Sequence, residues 1–403
     1  MNQNLNQTSD TTQAISNAFN YCSDADAYCT PALIVDIRNT YQIPANNSVV
    51  ELGQFLFDRD MIVNLVDIDP HLLGAQGRLS GNSMVHFLES AYHQKRLPDP
   101  HFKNAKCLSA TDLMADKGCH TNLLFLIKST CEGESNPRRY IAKGSDDGFG
   151  EALNLKRLST HRGVSAIAFP LRVPSLPSLA LPIAYLEFTT GSKLHTFGLM
   201  PAAPGTSLED IMSAFAKDKS RSSRAVVDRA YHTLGRELSA FHSRFRCGGG
   251  LLGKTMVHAD LHWRNVFYVD TGGANASSGH TTFIDNDAMA DNFCADPFRD
   301  IFRLVMFPFG RTAVYDGIWV DKPSLYFDLT FNNFISGYVS SFESSQWTAL
   351  FSELSIKFNR RIYFQDLNSK ALQLIVKLVS VHLNPRFDRL LSKLLNESAV
   401  QES

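Results

Sequence analysis

Residues 256–269 read MVHADLHWRNVFYV, and residues 281–291 read TTFIDNDAMAD. In both stretches an apolar run rich in β-branched and aromatic residues adjoins polar side chains. His258, Asp260, His262, Arg264 and Asn265 precede VFYVD, and Asp285 closes TTFID. The intervening TGGANASSGH (271–280) is built from turn-forming residues, so the two runs predict a β-hairpin. A hairpin returns the residues before its first strand and those after its second to the same edge. Asp260, Asn265 and Asp285 are therefore expected to lie within reach of one another.

On either side of this hairpin the pattern is helical from about residue 205 onward. Residues 223–245, SRAVVDRAYHTLGRELSAFHSRF, form one long amphipathic segment; 337–358 and 371–383 supply further apolar faces at spacings of three and four. Upstream the period changes. TNLLFLIKS (121–129) and RRYIAKG (138–144) read as strands joined by the loop TCEGESNP, and SAIAFPLRV (165–173) and LPIAYLEF (181–188) read as further strands. GEALNLKRLS (150–159) reads as a helix between them. TFGLMPAAPGTSLEDIM (196–212) passes through a Pro and Gly break into a helix that Ser207 can cap.

The expected organisation is a polar, disordered tail over 1–15, a helical extension over 16–107, a small sheet-based lobe over 108–204 and a mostly helical lobe over 205–403. Within the extension, SVVELGQFLF and MVHFLESAYHQKRL carry helical spacing. The tail is rich in Asn, Gln, Ser and Thr; it fits terminal fraying or a leader for a bacterial export route that bypasses a standard signal peptide.

The chain has 403 residues, 44% of them hydrophobic and 20% charged, with a formal net charge of -1. Such a balance supports a sizeable core and provides no long-range field for a polyanion, which argues against nucleic acid and anionic membrane as partners. No run is long and apolar enough to span a bilayer. The seven cysteines are scattered without a CxxC pair, so reduced thiols in a cytosol, that of the producing cell or of a host, are expected.

HADLHWRN fits the kinase catalytic-loop pattern HxDLxxxN, with His258, Asp260, Leu261 and Asn265 in the required places. More narrowly it resembles the HGDLHxxN form of the aminoglycoside phosphotransferase and choline kinase group, because His262 stands where protein kinases usually have Lys. FIDND (283–287) resembles that group's IDxxxA magnesium motif. LGRELSAFH (234–242) and ADPFRDI (295–301) resemble its helix before the loop and its DPxxDL segment. DKGCHTNLLFLI (116–127) looks like its degenerate nucleotide loop, with Asn122, and RRYIAK like its third strand.

The resemblance covers roughly residues 108–395. It implies an α+β, two-lobed protein-kinase-like fold, with a small β-rich N-lobe and a mostly helical C-lobe, here preceded by a helical extension that offers room for a protein partner. It further implies ATP and Mg²⁺ as cofactors, Asp260 as the base that takes the proton of an acceptor hydroxyl, and Asn265 and Asp285 as the metal-holding pair. Lys143 is the implied ATP contact, with Lys128 as its rival, and Glu151 the helix glutamate that pairs with it. The chemistry suits these types: phosphoryl transfer needs positioning and charge neutralisation, and a hard cation needs oxygen ligands.

Plainer readings stand beside these. His258 and His262, four apart, have zinc-like spacing, but Ala259 replaces the Glu of a metalloprotease motif. Asp296 reads as a helix N-cap before Pro297; Asp300 is a loop brace or an exposed helix residue; Asp287 is a second metal contact or a turn residue. Three functions follow: a small-molecule kinase with an alcohol acceptor; a kinase acting on a protein or a phosphoinositide, with a secreted bacterial effector as one form of it; and a nucleotide-binding pseudokinase or interaction protein.

Overall fold

A computed structural model describes residues 63–66, 79–97, 99–113, 121–130, 138–145, 173–190, 193–271, 279–310, 321–360 and 369–401, with scattered positions over 154–169 and at 319. The chain divides into two compact units, one containing residues up to 159 together with 181–202, the other containing 160–180 and 203–403. The 1–15 tail, residues 48–57 of the extension, Glu151 and most of the 150–159 segment lie outside the described residues.

The first unit is a six-stranded sheet ordered β1-β6-β7-β4-β3-β2, with β1 Val63–Leu65, β2 Leu108–Asp112, β3 Thr121–Ser129, β4 Arg138–Ser145, β6 Ala184–Thr190 and β7 Lys193–Pro201. Only the β1–β6 pairing is parallel. Period-two alternation decides its faces. Phe125 and Ile127 of β3 and Tyr140 and Ala142 of β4 are buried in one core with helix α1, Gly81–His93, whose Met84, Phe87, Leu88 and Ala91 are its apolar stripe. Ser80 caps α1 by accepting the Ser83 N–H at 3.1 Å. Beyond α1, Asp99 accepts the Tyr140 hydroxyl at 2.9 Å and the His101 backbone N–H at 3.0 Å, tying the segment after the helix to the sheet.

The second unit is mostly helical: α2 Leu208–Asp218, α3 Arg221–Arg244, α4 Phe298–Gly310, α5 Pro323–Leu329, α6 Phe331–Val339, α7 Ser344–Phe358, α8 Ser369–Leu378 and α9 Asn384–Gln401. A four-stranded sheet lies within it, ordered β5-β10-β9-β8, with β5 Ser178–Leu179, β8 Thr206–Ser207, β9 Val266–Asp270 and β10 Gly279–Phe283. The α3–α6 contact depends on two glycines. A Cβ on Gly235 would stand 2.1 Å from the Phe334 carbonyl oxygen, and one on Gly337 2.1 Å from that of His232.

The α+β division into a sheet-rich unit and a helical unit is the expected one, with differences of detail. Ser165–Ile167, expected as strand, form a single 3₁₀ turn, with Pro170 shortly beyond them. Residues 337–358 are two helices, because Glu343 and Gln346 make a capping box that starts α7 afresh. The expectation of reduced thiols throughout is corrected: Cys247 and Cys294 form a disulfide, their Cα atoms 5.8 Å apart. Spacing in sequence did not disclose it, because the two are brought together by the backbone pairing of Thr255 with Ala295.

Candidate functional site

The expected hairpin is present: β9 and β10 pair antiparallel, with Val266 opposite Phe283. The ladder continues one step beyond the strands, where Ile284 N–H donates to the Asn265 carbonyl at 3.0 Å. Asn265 and Asp285 are thereby delivered at one edge, as the sequence predicts.

Two loops meet there. In the first, Ala259 has φ 68°, and in the second Asp285 has φ 60°. Non-glycine residues rarely hold this left-handed conformation, and surrounding contacts must impose it. His258 and Asp300 supply those contacts. The His258 Nε2 donates to the Ile284 carbonyl at 2.9 Å, linking the first loop to the second. Asp300, fully buried on α4, accepts the His258 N–H and the Ala259 N–H, each at 2.8 Å, and faces His242 Nε2 at 3.2 Å. His242 is in turn 2.9 Å from the Tyr338 hydroxyl, so a buried chain from α6 through α3 to α4 underlies the loop. Of the two readings of Asp300, brace and exposed helix residue, the brace is the one observed.

Asp260 leads the loop into solvent, its side chain 35% exposed. Arg303 of α4 donates to Oδ1, and His262 Nε2 lies 3.7 Å from Oδ2. Burial, with a smaller electrostatic effect from the neighbouring His258, pushes the His262 imidazole down to about 3, so the ring is neutral at ordinary pH. Its Nδ1 accepts the Arg264 N–H at 3.2 Å, which places the ring proton on Nε2, toward Asp260. Phe307 stacks on the same ring at 4.1 Å between centroids. His258 Nε2 and His262 Nδ1 are both committed to backbone groups.

Asn265 is buried and donates its Nδ2 to the Asp260 carbonyl at 3.0 Å, which leaves the amide oxygen as its remaining polar group. An amide oxygen and the Asp285 carboxylate are hard donors, which fits a magnesium ion better than a softer metal. Among the described residues no three His, Cys, Asp or Glu side chains converge on a metal position. Asp287 begins a 3₁₀ turn over Asp287–Asp291, and Asp296 accepts the Phe298 N–H at 3.0 Å as expected of a helix cap.

In the first unit, Lys143 lies on β4 opposite Leu124 and Gly198. Its face is the one turned away from the α1 core, shared with Lys128 of β3. Lys128 pairs with Arg139, four residues from Lys143, so the two lysines stand on the order of 13 Å apart along the strands and do not serve one position. Asn122 sits where the β3–β4 register slips, between Thr121 and Leu123. Glu151 lies outside the described residues.

Two residues escaped the sequence reading. Arg303 is one. The other is Glu237 of α3, 1% exposed, which accepts the Thr281 N–H at 2.8 Å and the Thr281 hydroxyl at 2.6 Å and faces His280 at 3.1 Å. It anchors β10, the strand that delivers Asp285. A signal was available, because Glu237 falls on the apolar stripe of Leu234, Leu238 and Phe241, where an acidic residue must be paired.

No protein-family model matches the chain, and no curated protein matches it. Among solved structures it is similar to the BubR1 kinase domain, at 12% identity and a TM-score of 0.32 over 68% of this chain and 63% of that one. It is also similar to WaaP in complex with acyl carrier protein, at 15% identity and a TM-score of 0.31 over 64% of this chain and 91% of that one. The chain thus spans less than two thirds of the BubR1 kinase chain that it matches.

Proposed function

We propose that this chain is a protein-kinase-like phosphotransferase that moves the γ-phosphate of ATP to a hydroxyl of a small molecule. The observation that carries the reading is the shared frame of the two loops: Asp260, Asn265 and Asp285 are held at one hairpin edge by His258 and the buried Asp300. Asp260 takes the proton of the acceptor hydroxyl. The acceptor oxygen forms the new bond to Pγ as the bond from Pγ to the β,γ-bridging oxygen breaks, and ADP leaves. Asn265 and Asp285 would hold Mg²⁺, which supplies neutralisation of phosphate charge when bound. Lys143 is the proposed phosphate contact, and the second histidine of the HADLH run favours a small-molecule acceptor over a protein.

The test is incubation of the purified chain with labelled ATP and Mg²⁺ against a panel of amino alcohols, sugars, phosphoinositides and cell lysate. Transfer to a small alcohol supports the reading, and transfer to a protein or lipid replaces the acceptor class. Asp260→Ala should lower turnover by roughly 10² to 10⁴, with ATP binding retained. Absence of Mg²⁺-dependent ATP binding in the wild type, measured by thermal shift, would favour a nucleotide-free scaffold.

A further inference from the structure

Asp285 stands between two anchored residues. Upstream, Ile284 is held at both backbone groups, its N–H by the Asn265 carbonyl at 3.0 Å and its carbonyl by His258 Nε2 at 2.9 Å. Downstream is Asn286, 1% exposed, whose Nδ2 donates to the Phe283 carbonyl at 3.1 Å and to the Ala180 carbonyl at 3.0 Å. The first of these bonds reaches back across Ile284 and Asp285. The second ties the same turn to the residue after β5, where the Ala180 N–H also donates to the Phe283 carbonyl at 2.9 Å.

An asparagine at this place ordinarily does something else. Asn286 precedes the 3₁₀ turn Asp287–Asp291, where an Asn side chain usually accepts a backbone N–H of the turn, and its side chain makes no such cap. The amide is turned the other way, as a donor to two carbonyls, which neither an ionised carboxylate nor an aliphatic side chain can be. β5 pairs with β10 only at Ser178–Thr282 and Leu179–Phe283, so its short ladder gains from such a tie.

The consequence is one of direction. Asp285 holds a φ of 60°, and backbone dihedrals decide where a Cα–Cβ bond points. A turn relaxed to an ordinary negative φ would send the carboxylate along another line. This concerns the backbone of the turn and is indifferent to what else the carboxylate touches.

We propose that Asn286 is a positioning residue for the metal: by holding Phe283 and Ala180 it fixes the left-handed turn from which Asp285 presents its carboxylate to Mg²⁺. This rests on the phosphotransferase reading above, in which Asp285 is a magnesium ligand.

The experiment measures Mn²⁺ binding by electron paramagnetic resonance in the presence of ATP, and ATP binding with the metal chelated. It compares wild type, Asn286→Leu, Asn286→Ser, Asp285→Asn and the double variant Asp285→Asn with Asn286→Leu. Asn286→Leu should raise the Mn²⁺ Kd roughly 10- to 100-fold, the usual effect of removing a group that orients a metal ligand, while metal-free ATP binding changes by less than about twofold. Asn286→Ser, which keeps a single donor, should fall between wild type and Leu. In the Asp285→Asn background Asn286→Leu should add nothing further, because its action passes through that side chain. An equal loss of ATP binding with and without metal, or a full additive loss in the double variant, overturns the proposal. If Asn286→Leu does not fold, Asn286→Ser carries the same comparison. If the wild type binds no Mn²⁺ with ATP, the phosphotransferase reading loses its metal, and crystal structures of wild type and Asn286→Ser decide the positioning claim by themselves. An Asp285 that leaves positive φ in the variant supports the claim; one that keeps it overturns the claim.

Discussion

The carboxylate of Asp300 accepts the backbone N–H of Ala259 at 2.8 Å, and Ala259 holds a φ of 68°. A strained residue and a buried charge sustain each other here: the carboxylate has its donors only while the loop is bent, and the loop stays bent only while the carboxylate is present. Asp300→Ala should therefore cost about 3–5 kcal/mol of stability, as expected when one partner of a buried charged network is removed. Asp300→Asn should recover part of it, since its amide oxygen can still accept one loop N–H while its NH₂ cannot accept the other. Urea unfolding of the three proteins checks this, and a loss below about 1 kcal/mol for Ala would show that Asp300 is not the brace.

Glu237 leads to a second expectation. It accepts three donors from β10 while almost fully buried, so truncation leaves Thr281 N–H and its hydroxyl without their acceptor. Glu237→Leu should destabilise by about 2–4 kcal/mol and, on the function proposed above, should also weaken Mg²⁺-dependent ATP binding, because β10 leads directly into Asp285. The pairing of the two readouts is the test. A variant that melts earlier yet binds as before would separate the anchor from the site.

How much of this was legible beforehand depends on which interactions are local. The hairpin, its edge residues and the Ser207 cap follow from patterns a few residues long, and each is found: Ser207 accepts the Asp210 N–H at 3.1 Å. The Asp300, Glu237 and Arg303 contacts join residues some forty or more positions apart, and nothing in a short window specifies them. Arg303 was the hardest to see, since an arginine on an amphipathic helix is ordinarily a solvated one. The disulfide was missed for the same reason, being a product of the Thr255–Ala295 bridge rather than of cysteine spacing.

Acid should weaken the first unit through Asp99. Burial pushes its carboxyl up, but the hydrogen bonds from His101 and from the Tyr140 hydroxyl outweigh burial and hold it below the ordinary range. A lowered folded pKa means the unfolded chain binds the proton more readily, so this stabilisation is full above the ordinary aspartate value, about 3.9, and is lost as the pH falls through the lower folded one. Melting temperatures of wild type and Asp99→Asn should differ at pH 6 and converge toward pH 2.5. A constant offset over that range would rule out the carboxylate as the source.

The Cys247–Cys294 disulfide closes a span of 47 residues that contains Asp260, Asn265 and Asp285. Both cysteines are exposed, and the segment between Cys247 and the loop is fixed at Thr255, which exchanges hydrogen bonds with Ala295 at 2.8 and 2.9 Å. Cross-linking a span of that length removes conformational freedom from the unfolded chain worth about 4 kcal/mol in the chain-entropy account. Cys247→Ser, or a strong reductant applied to the wild type, should thus lower the melting temperature, and reductant should leave the Cys247→Ser variant unchanged. Because the bridge pins the approach to His258, the Mg²⁺-dependent ATP binding proposed above should weaken in parallel. Thiol titration of the native protein supplies the decisive control: both cysteines reacting before any reductant is added would remove the cross-link from the fold.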